Sequence, residues 1–570
     1  MKNKFWVKIL VCLIILIIFL KVPTMLAKPK RIWDKEFNKG SNIKIEVLNN
    51  EDTEKLNKLC KIWGFTKYYH PKIVDGSVNW DYELFRVMPK ILEAENTNEV
   101  NEVLYTWINN LGEFQKGNYD DSKEIKIKAD TDWIEDKKYL GEDLSSLMVN
   151  LSKTYITERE KGYVNYKHEA VKSNFDMEEA YPDMKYDDDG FKLLSLFRYW
   201  NIIQYYNPYR DVMGEDWNEV LNEFIPKFLN CDDELSYKLT VAELTARIHD
   251  SHASLMDERK VLFDYFGRNT IPVRFAVVQE KIIVTEKIEK YKMECNLEPG
   301  DIILKVDGRD IFDLIKEKSK YIARSRDEVL VNNFQTKLFG TNKESLMITI
   351  DRDGEIFDKE VKCHNIDMFK FSGESHKLID GNIGYINPGL LKKGEIDKIM
   401  TEFMNTKGLI IDLRYYPSDF ITKSLAEYLL PQEEVFARIT MPNRAIPGEF
   451  IFMEDQKSGK DNKDYYKGEV IIINNECTQS NAEFTTMSFR NSPNSLVIGE
   501  NTIGADGDVA YFKLPGGITT VMTGLGVYNP DGSETQRVGL TPDVYIKPTI
   551  EGIREGRDEL LEKSIDLIKE

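Results

Sequence analysis

Residues 55–92 of this chain recur, without a gap, as residues 192–229. Trp63, Tyr68, Tyr69, Pro71, Trp80, Pro89 and Lys90 return 137 positions later as Trp200, Tyr205, Tyr206, Pro208, Trp217, Pro226 and Lys227. Lys55, Leu56 and Leu59 match Lys192, Leu193 and Leu196 in the same register. The apolar spacing up to each first tryptophan is that of an amphipathic helix, and the Tyr-Tyr-x-Pro that follows marks its end, because proline disfavours helical backbone in the residue before it. One helical unit is therefore encoded twice. Two copies make a duplication rather than a solenoid, which needs at least about three repeats. The shared aromatics read as core and inter-helix packing ahead of a ligand-stacking role. This places a first helical repeat over residues 50–120, a polar connector with some helix over 121–190, and a second repeat over 191–262.

At 570 residues the chain exceeds what one hydrophobic core supports, so several folded units are expected. Its 77 basic and 96 acidic residues leave a net charge of −19, which argues against nucleic acid as a partner. The six cysteines are scattered and contain no Cys-x-x-Cys, so neither a zinc site nor a disulfide framework is indicated, and no cofactor or metal is expected. Lys2, Lys4 and Lys8 precede an unbroken apolar run from Ile9 to Leu20, followed by Lys21. That pattern fits a signal peptide or membrane anchor over residues 1–27 and an extracytoplasmic location, membrane-anchored or secreted. Met25-Leu26-Ala27 lacks the small residue usual two places before a cleavage site, which leaves the uncleaved anchor open.

The second repeat runs on into His249-Asp250-Ser251-His252, which holds two of the chain's six histidines. An imidazole beside a carboxylate at the end of an element suits a general base. The same residues also suit a surface pair, one edge of a metal site, or helix and turn capping around Asp250 and Ser251. Next, Pro299-Gly300-Asp301 forms a turn, Ile302–Val306 a short strand, and Asp307-Gly308 a tight hairpin turn. From Ile383 onward strands and helices alternate: Gly384–Ile386, a helix over Gly394–Met404, Leu409–Leu413, a helix over Thr422–Leu430, then Val470–Ile473. Near-continuous apolar strands at this spacing predict a parallel α/β layer. Ser480 follows the last of these strands, on the turn into a helix. Such a serine is either a plain N-cap or a presented nucleophile, and Ser480-x-x-Glu483 reads as a capping box.

Residues 296–308 resemble a PDZ domain through Leu297-x-Pro299-Gly300-Asp301-x-Ile303-x-x-Val306-x-Gly308, so residues 271–365 are expected to form a PDZ-like β domain. No carboxylate-binding loop is recognisable at Arg274-Phe275-Ala276-Val277. The wider segment from Leu244 to Ile550 resembles the C-terminal processing, or tail-specific, serine peptidases in their tricorn-core-like branch. The resemblance rests on the PDZ-like signature, Asp412-Leu413-Arg414, the Ser480 turn, Gly499-Glu500-Asn501-Thr502-Ile503-Gly504, and Gly539-Leu540-Thr541-Pro542-Asp543. It implies an α/β multidomain protein whose catalytic domain, residues 366–560, is of crotonase/ClpP-like type. Ala505 stands where a lysine-dependent branch carries its base, and Asp250-Ser251-His252 fits the histidine branch. By that resemblance Ser480 is the nucleophile and His252 the base, with Ser251 and Glu534 orienting the ring. The amides of Asn481 and of Ser418, in Tyr416-Pro417-Ser418-Asp419, would form the oxyanion hole. Relatives carry glycine in that loop, and its replacement keeps open a catalytically inactive binder of peptides or apolar ligands. The partner implied is a polypeptide, recognised through its C-terminus.

Overall fold

The computed structural model describes residues 34–119, 122–166, 171–366 and 373–570, so the leader expected over residues 1–27 lies outside the described residues. Among the described residues no helix is long and apolar enough to cross a membrane.

Each copy of the repeated unit is a helix pair: Asn50–Tyr69 with Trp80–Glu93, and Asp189–Tyr206 with Trp217–Leu229. Within each pair the two tryptophans exchange hydrogen bonds. Trp63 Nε1 donates to the Trp80 carbonyl at 3.0 Å and Trp80 Nε1 to the Trp63 carbonyl at 2.9 Å. Trp200 and Trp217 repeat the exchange at 2.6 and 3.1 Å. All four rings are buried, so each indole N–H needs a partner, and the reciprocal arrangement supplies one. The two long helices then meet at equivalent positions. Gly64 lies against its own counterpart Asn201, where a Cβ on residue 64 would fall 1.7 Å from Asn201 Oδ1. Tyr68 meets its counterpart Tyr205 edge-on, with ring centroids 5.4 Å apart. Contact between equivalent residues is the mark of a two-fold arrangement.

Four charged side chains are sealed behind this interface. Lys67 Nζ lies 2.7 Å from Glu178 and 3.5 Å from Asp81, and Arg198 lies 2.7 Å from Asp81 and 2.9 Å from Glu178, all four at 0% side-chain exposure. Arg198 Nη1 also donates to the carbonyls of Glu179 and Lys513, the latter on the hairpin strand Val509–Leu514. Residues 121–190, read from the sequence as a connector, do more than connect. Their strand Ile125–Ile127 pairs antiparallel with Phe450–Phe452 in the second half of the chain.

The strands Val273–Val278, Lys281–Lys287, Ile302–Val306, Ser345–Arg352 and Glu355–Lys362 form one antiparallel sheet in that order, over a core of its own that includes Phe275, Val284, Ile303 and Ile348. Asp307 and Gly308 both take positive φ, 48° and 78°, the backbone that the Asp-Gly hairpin turn demands. Val273–Val278 is an edge strand whose outer side is covered by the short helices Leu330–Asn333 and Gln335–Leu338. Gln335 accepts from the Phe275 N–H at 3.1 Å and donates to the Phe275 carbonyl at 3.0 Å, and Asn332 Oδ1 accepts from the Val277 N–H at 3.3 Å.

The α/β layer is a six-stranded sheet in the order Val544–Tyr545, Ser495–Gly499, Glu469–Asn474, Gly408–Asp412, Ile383–Ile386, His376–Ile379. All neighbours run parallel except the last pair. A separate three-stranded sheet joins Val509–Leu514 to Ile518–Thr523 and then to Ser254–Asp257, the strand directly after His252. This sheet carries the end of the second helical repeat into the second half of the molecule.

Candidate active site

Ser480 ends the turn that leaves strand Glu469–Asn474 and precedes helix Asn481–Phe489. Its backbone has φ +53° and ψ −120°, a costly conformation for a residue with a Cβ, and the surroundings enforce it. The Ser480 N–H donates to the Ala505 carbonyl at 3.0 Å and to Glu483 Oε2 at 3.1 Å. Glu483 is buried and also accepts from the amides of Gly504 at 2.9 Å and Ala505 at 3.1 Å. Burial pushes its carboxyl above the usual range, while the bonds from Thr502, Gly504, Ala505 and Ser480 pull it back down. Glu483 thus ties the strained serine turn to the 502–505 loop, more than the local cap that the sequence suggests.

Ser480 lines a cleft of about 1430 Å³, and His252, Asn481 and Ser418 line the same cleft. The imidazole and the alcohol, 228 positions apart in the chain, therefore share one cavity. Exposed aromatic side chains, Tyr416 and Phe420, add an apolar wall.

His252 reaches the cleft through strand register. Ser254 pairs with Val521 in the antiparallel sheet, so two residues back His252 stands opposite Thr523. His252 Nδ1 lies 2.9 Å from Thr523 Oγ1, and that hydroxyl donates to Asp250 Oδ2 at 2.8 Å. Asp250 Oδ2 also accepts from the Thr523 N–H at 2.9 Å, and Asp250 Oδ1 from the His252 N–H at 2.9 Å. Burial lowers the His252 pKa below the ordinary imidazole value, against the opposing pull of Asp250 and Asp508. Asp250 acts as a turn cap, one of the roles expected from the sequence, and it also stands behind the ring. Thr523 was not expected: its bond to His252 spans 271 residues, and only the strand pairing could have revealed it.

Two expected site residues, Ser251 and Glu534, are placed elsewhere, and a third, Ser418, lines the cleft with its amide already engaged. Ser251 is turned to the β domain, where the Ser325 N–H donates to Ser251 Oγ at 2.8 Å and the Ser251 N–H to Ser325 Oγ at 3.0 Å. Glu534 is held by Lys126 at 2.6 Å, on the strand contributed by residues 125–127, and the His252 ring nitrogen Nδ1 meets Thr523 rather than Ser251 or Glu534. The Ser418 amide donates to the Pro388 carbonyl at 3.0 Å, which occupies the N–H assigned to an oxyanion. Its hydroxyl turns the same way, to the carbonyls of Pro388 and Leu391 at 3.1 and 2.5 Å. Asn481 opens the helix and lines the cleft; its amide is one of the N–H groups a helix start leaves unpaired, and it has no hydrogen-bond partner among the described residues. His249 lies outside this cleft and pairs with Glu215 at 3.2 Å. Among the described residues no cluster of potential ligands is able to hold a metal ion.

Arg414 binds Asp412 at 2.8 and 2.7 Å and Asp558 at 3.0 and 2.7 Å, so the Asp-Leu-Arg segment fixes the carboxyl end of the central strand beside the cleft. A serine on a strained strand-to-helix turn, at the carboxyl ends of a parallel sheet, is the architecture of an α/β serine-type peptidase. Residues 382–546 match the model of peptidase family S41. Over 355 residues, 59% of this chain and 68% of the relative, it is 23% identical to the carboxy-terminal processing protease CtpA of Bacillus subtilis (strain 168). Its fold is similar to that of mature CPAF. The structure of CPAF complexed with lactacystin gives a TM-score of 0.52 at 14% identity, over 67% of this chain and 98% of CPAF. Mature CPAF alone gives 0.51 at 14% identity, over the same shares.

Proposed function

We infer that this protein is an extracytoplasmic serine endopeptidase in which Ser480 is the nucleophile and His252 the base. The observation that carries this reading is the shared cleft, with Ser480 held at positive φ on its turn and His252 delivered from the other half of the chain. Ser480 Oγ attacks the scissile carbonyl while His252 Nε2 takes its proton, then returns it to the departing amine; water repeats the cycle on the acyl-enzyme. The Asn481 amide, at the positive end of its helix, supports the oxyanion, a contribution of about 3 kcal/mol to the barrier for each such donor. The substrate is a polypeptide, the leader at residues 1–27 attaches or exports the protein, and the β domain of residues 271–365 is PDZ-like.

Reaction with a fluorophosphonate probe tests the assignment. Labelling of the wild type and none of Ser480→Ala is expected, with labelling and casein cleavage lost in His252→Ala; labelling that survives Ser480→Ala refutes it. One observation favours a second reading, a silent peptide binder of the same fold: the Ser418 amide is occupied by Pro388. Wild-type protein that binds peptides, yet neither cleaves casein nor takes the probe, would establish that alternative.

A further inference from the structure

We propose that Thr523 and Asp250 form the positioning relay of His252: the Thr523 hydroxyl, anchored by the Asp250 carboxylate, sets the tautomer of the imidazole and steadies its charged form. This rests on the reading of Ser480 and His252 as nucleophile and base.

The direction of each bond follows from what each group is able to give. A carboxylate is an acceptor only, so across the 2.8 Å contact the Thr523 hydroxyl hydrogen points to Asp250 Oδ2. A hydroxyl has one hydrogen, and its remaining lone pairs then face His252 Nδ1 at 2.9 Å. That contact is a hydrogen bond only if Nδ1 carries the proton. The neutral ring therefore holds its hydrogen on Nδ1 and leaves Nε2 with a free lone pair, the form a general base requires. When Nε2 takes the Ser480 proton, the imidazolium keeps its Nδ1–H on Thr523, and no proton leaves for Asp250. Asp250 is buried, and the Thr523 N–H and the His252 N–H lock both of its oxygens, so the chain of three groups is held in one arrangement. The carboxylate acts at one remove, because Asp250 Oδ1 lies 3.7 Å from Nδ1.

The residues that the family resemblance assigns to this task are engaged elsewhere, Ser251 by Ser325 and Glu534 by Lys126. Sheet pairing supplies the substitute. Thr523 ends the strand Ile518–Thr523, and Ser254–Asp257 begins two residues after His252 in register with it, so folding of that sheet alone brings hydroxyl and ring together.

The test is the rate of fluorophosphonate labelling of the full chain against pH, for wild type, Thr523→Val, Thr523→Ser and Asp250→Asn. Thr523→Val keeps the shape and removes the hydroxyl. Its plateau rate is expected to fall about 10- to 100-fold, the weight of a hydrogen bond to a charged group. Its acid limb is expected to move to lower pH, because an imidazolium without its acceptor releases its proton more readily. Asp508, the other carboxylate that acts on the ring, remains in all variants. Thr523→Ser restores rate and limb, which a purely structural role for the methyl group would not, and Asp250→Asn moves both in the direction of Thr523→Val. A folded Thr523→Val with wild-type plateau and limb overturns the relay while leaving Ser480 and His252 in place. If Thr523→Val does not fold, an unchanged profile in Asp250→Asn overturns it equally. Labelling of Ser480→Ala refutes the underlying assignment instead, and so distinguishes the two failures.

Discussion

Replacing Arg198 by methionine removes one corner of the sealed charge network and leaves two carboxylates facing a single ammonium. Burial opposes ionisation of both acids. Arg198 and Lys67 overcome it at Asp81, whose carboxyl stays below its ordinary value, while Glu178 remains above. Arg198 makes contacts of 2.7 and 2.9 Å to the two acids, and its loss also frees the carbonyls of Glu179 and Lys513. Breaking a buried ion pair by deleting one partner costs about 3 to 5 kcal/mol, because the charge left behind has no water and, here, only a share of the Lys67 ammonium. Urea unfolding followed by tryptophan fluorescence reports on this region directly, since Trp63, Trp80, Trp200 and Trp217 all lie in the helix pairs. At a slope of about 2 to 3 kcal/mol per molar urea, the midpoint is expected to fall by roughly 1 to 2 M. Removing a charge of each sign, Arg198→Met with Asp81→Leu, is expected to recover part of the loss. A midpoint for Arg198→Met within about 0.3 M of wild type, at unchanged slope, would refute the view that these charges depend on one another.

Gly64→Ala should destabilise the helical region by about 1 to 3 kcal/mol despite the better helix propensity of alanine, because the new methyl meets Asn201; a calorimetric transition at or above the wild-type temperature contradicts the close crossing. Glu483→Gln places an amide group among donors that need an acceptor, and it is expected to lower both the labelling rate of Ser480, at least about tenfold, and the urea midpoint. Since burial holds the His252 pKa below the ordinary imidazole value, the acid limb of wild-type labelling should lie below that of an exposed histidine. Asp508 raises that pKa, so Asp508→Asn should move the limb further down; a shift upward would contradict the sign of its effect.

Local chemistry made much of the fold readable. Val470–Ile473 lies within the strand Glu469–Asn474, the helix read as Thr422–Leu430 ends one residue earlier at Leu429, and Asp307-Gly308 makes its turn, because apolar runs and turn residues act over a few positions. Ser480 was legible for the same reason. The partners of His252 were not, because the Thr523 bond depends on how a distant hairpin pairs with Ser254–Asp257, and neither strand encodes that register alone. Ser418 shows the complementary limit: the family resemblance implies that a glycine is replaced, but not that the replacing residue folds its amide back on Pro388. Lys126 captures Glu534 from a segment whose polar composition disguised a strand that completes a sheet in the second half of the chain.

Gln335 and Asn332 occupy the backbone groups of Phe275 and Val277 that an incoming extended peptide would use to extend the sheet. A guest strand along that edge has to displace two side-chain amides of the host before it gains its first main-chain bond. The same short segment grips the approach to the serine turn, with Asn332 on the Glu476 carboxylate at 2.7 Å and Asn333 on the Glu476 carbonyl at 2.8 Å. Two neighbouring asparagines thus bridge the edge of the β domain and the turn that leads to Ser480.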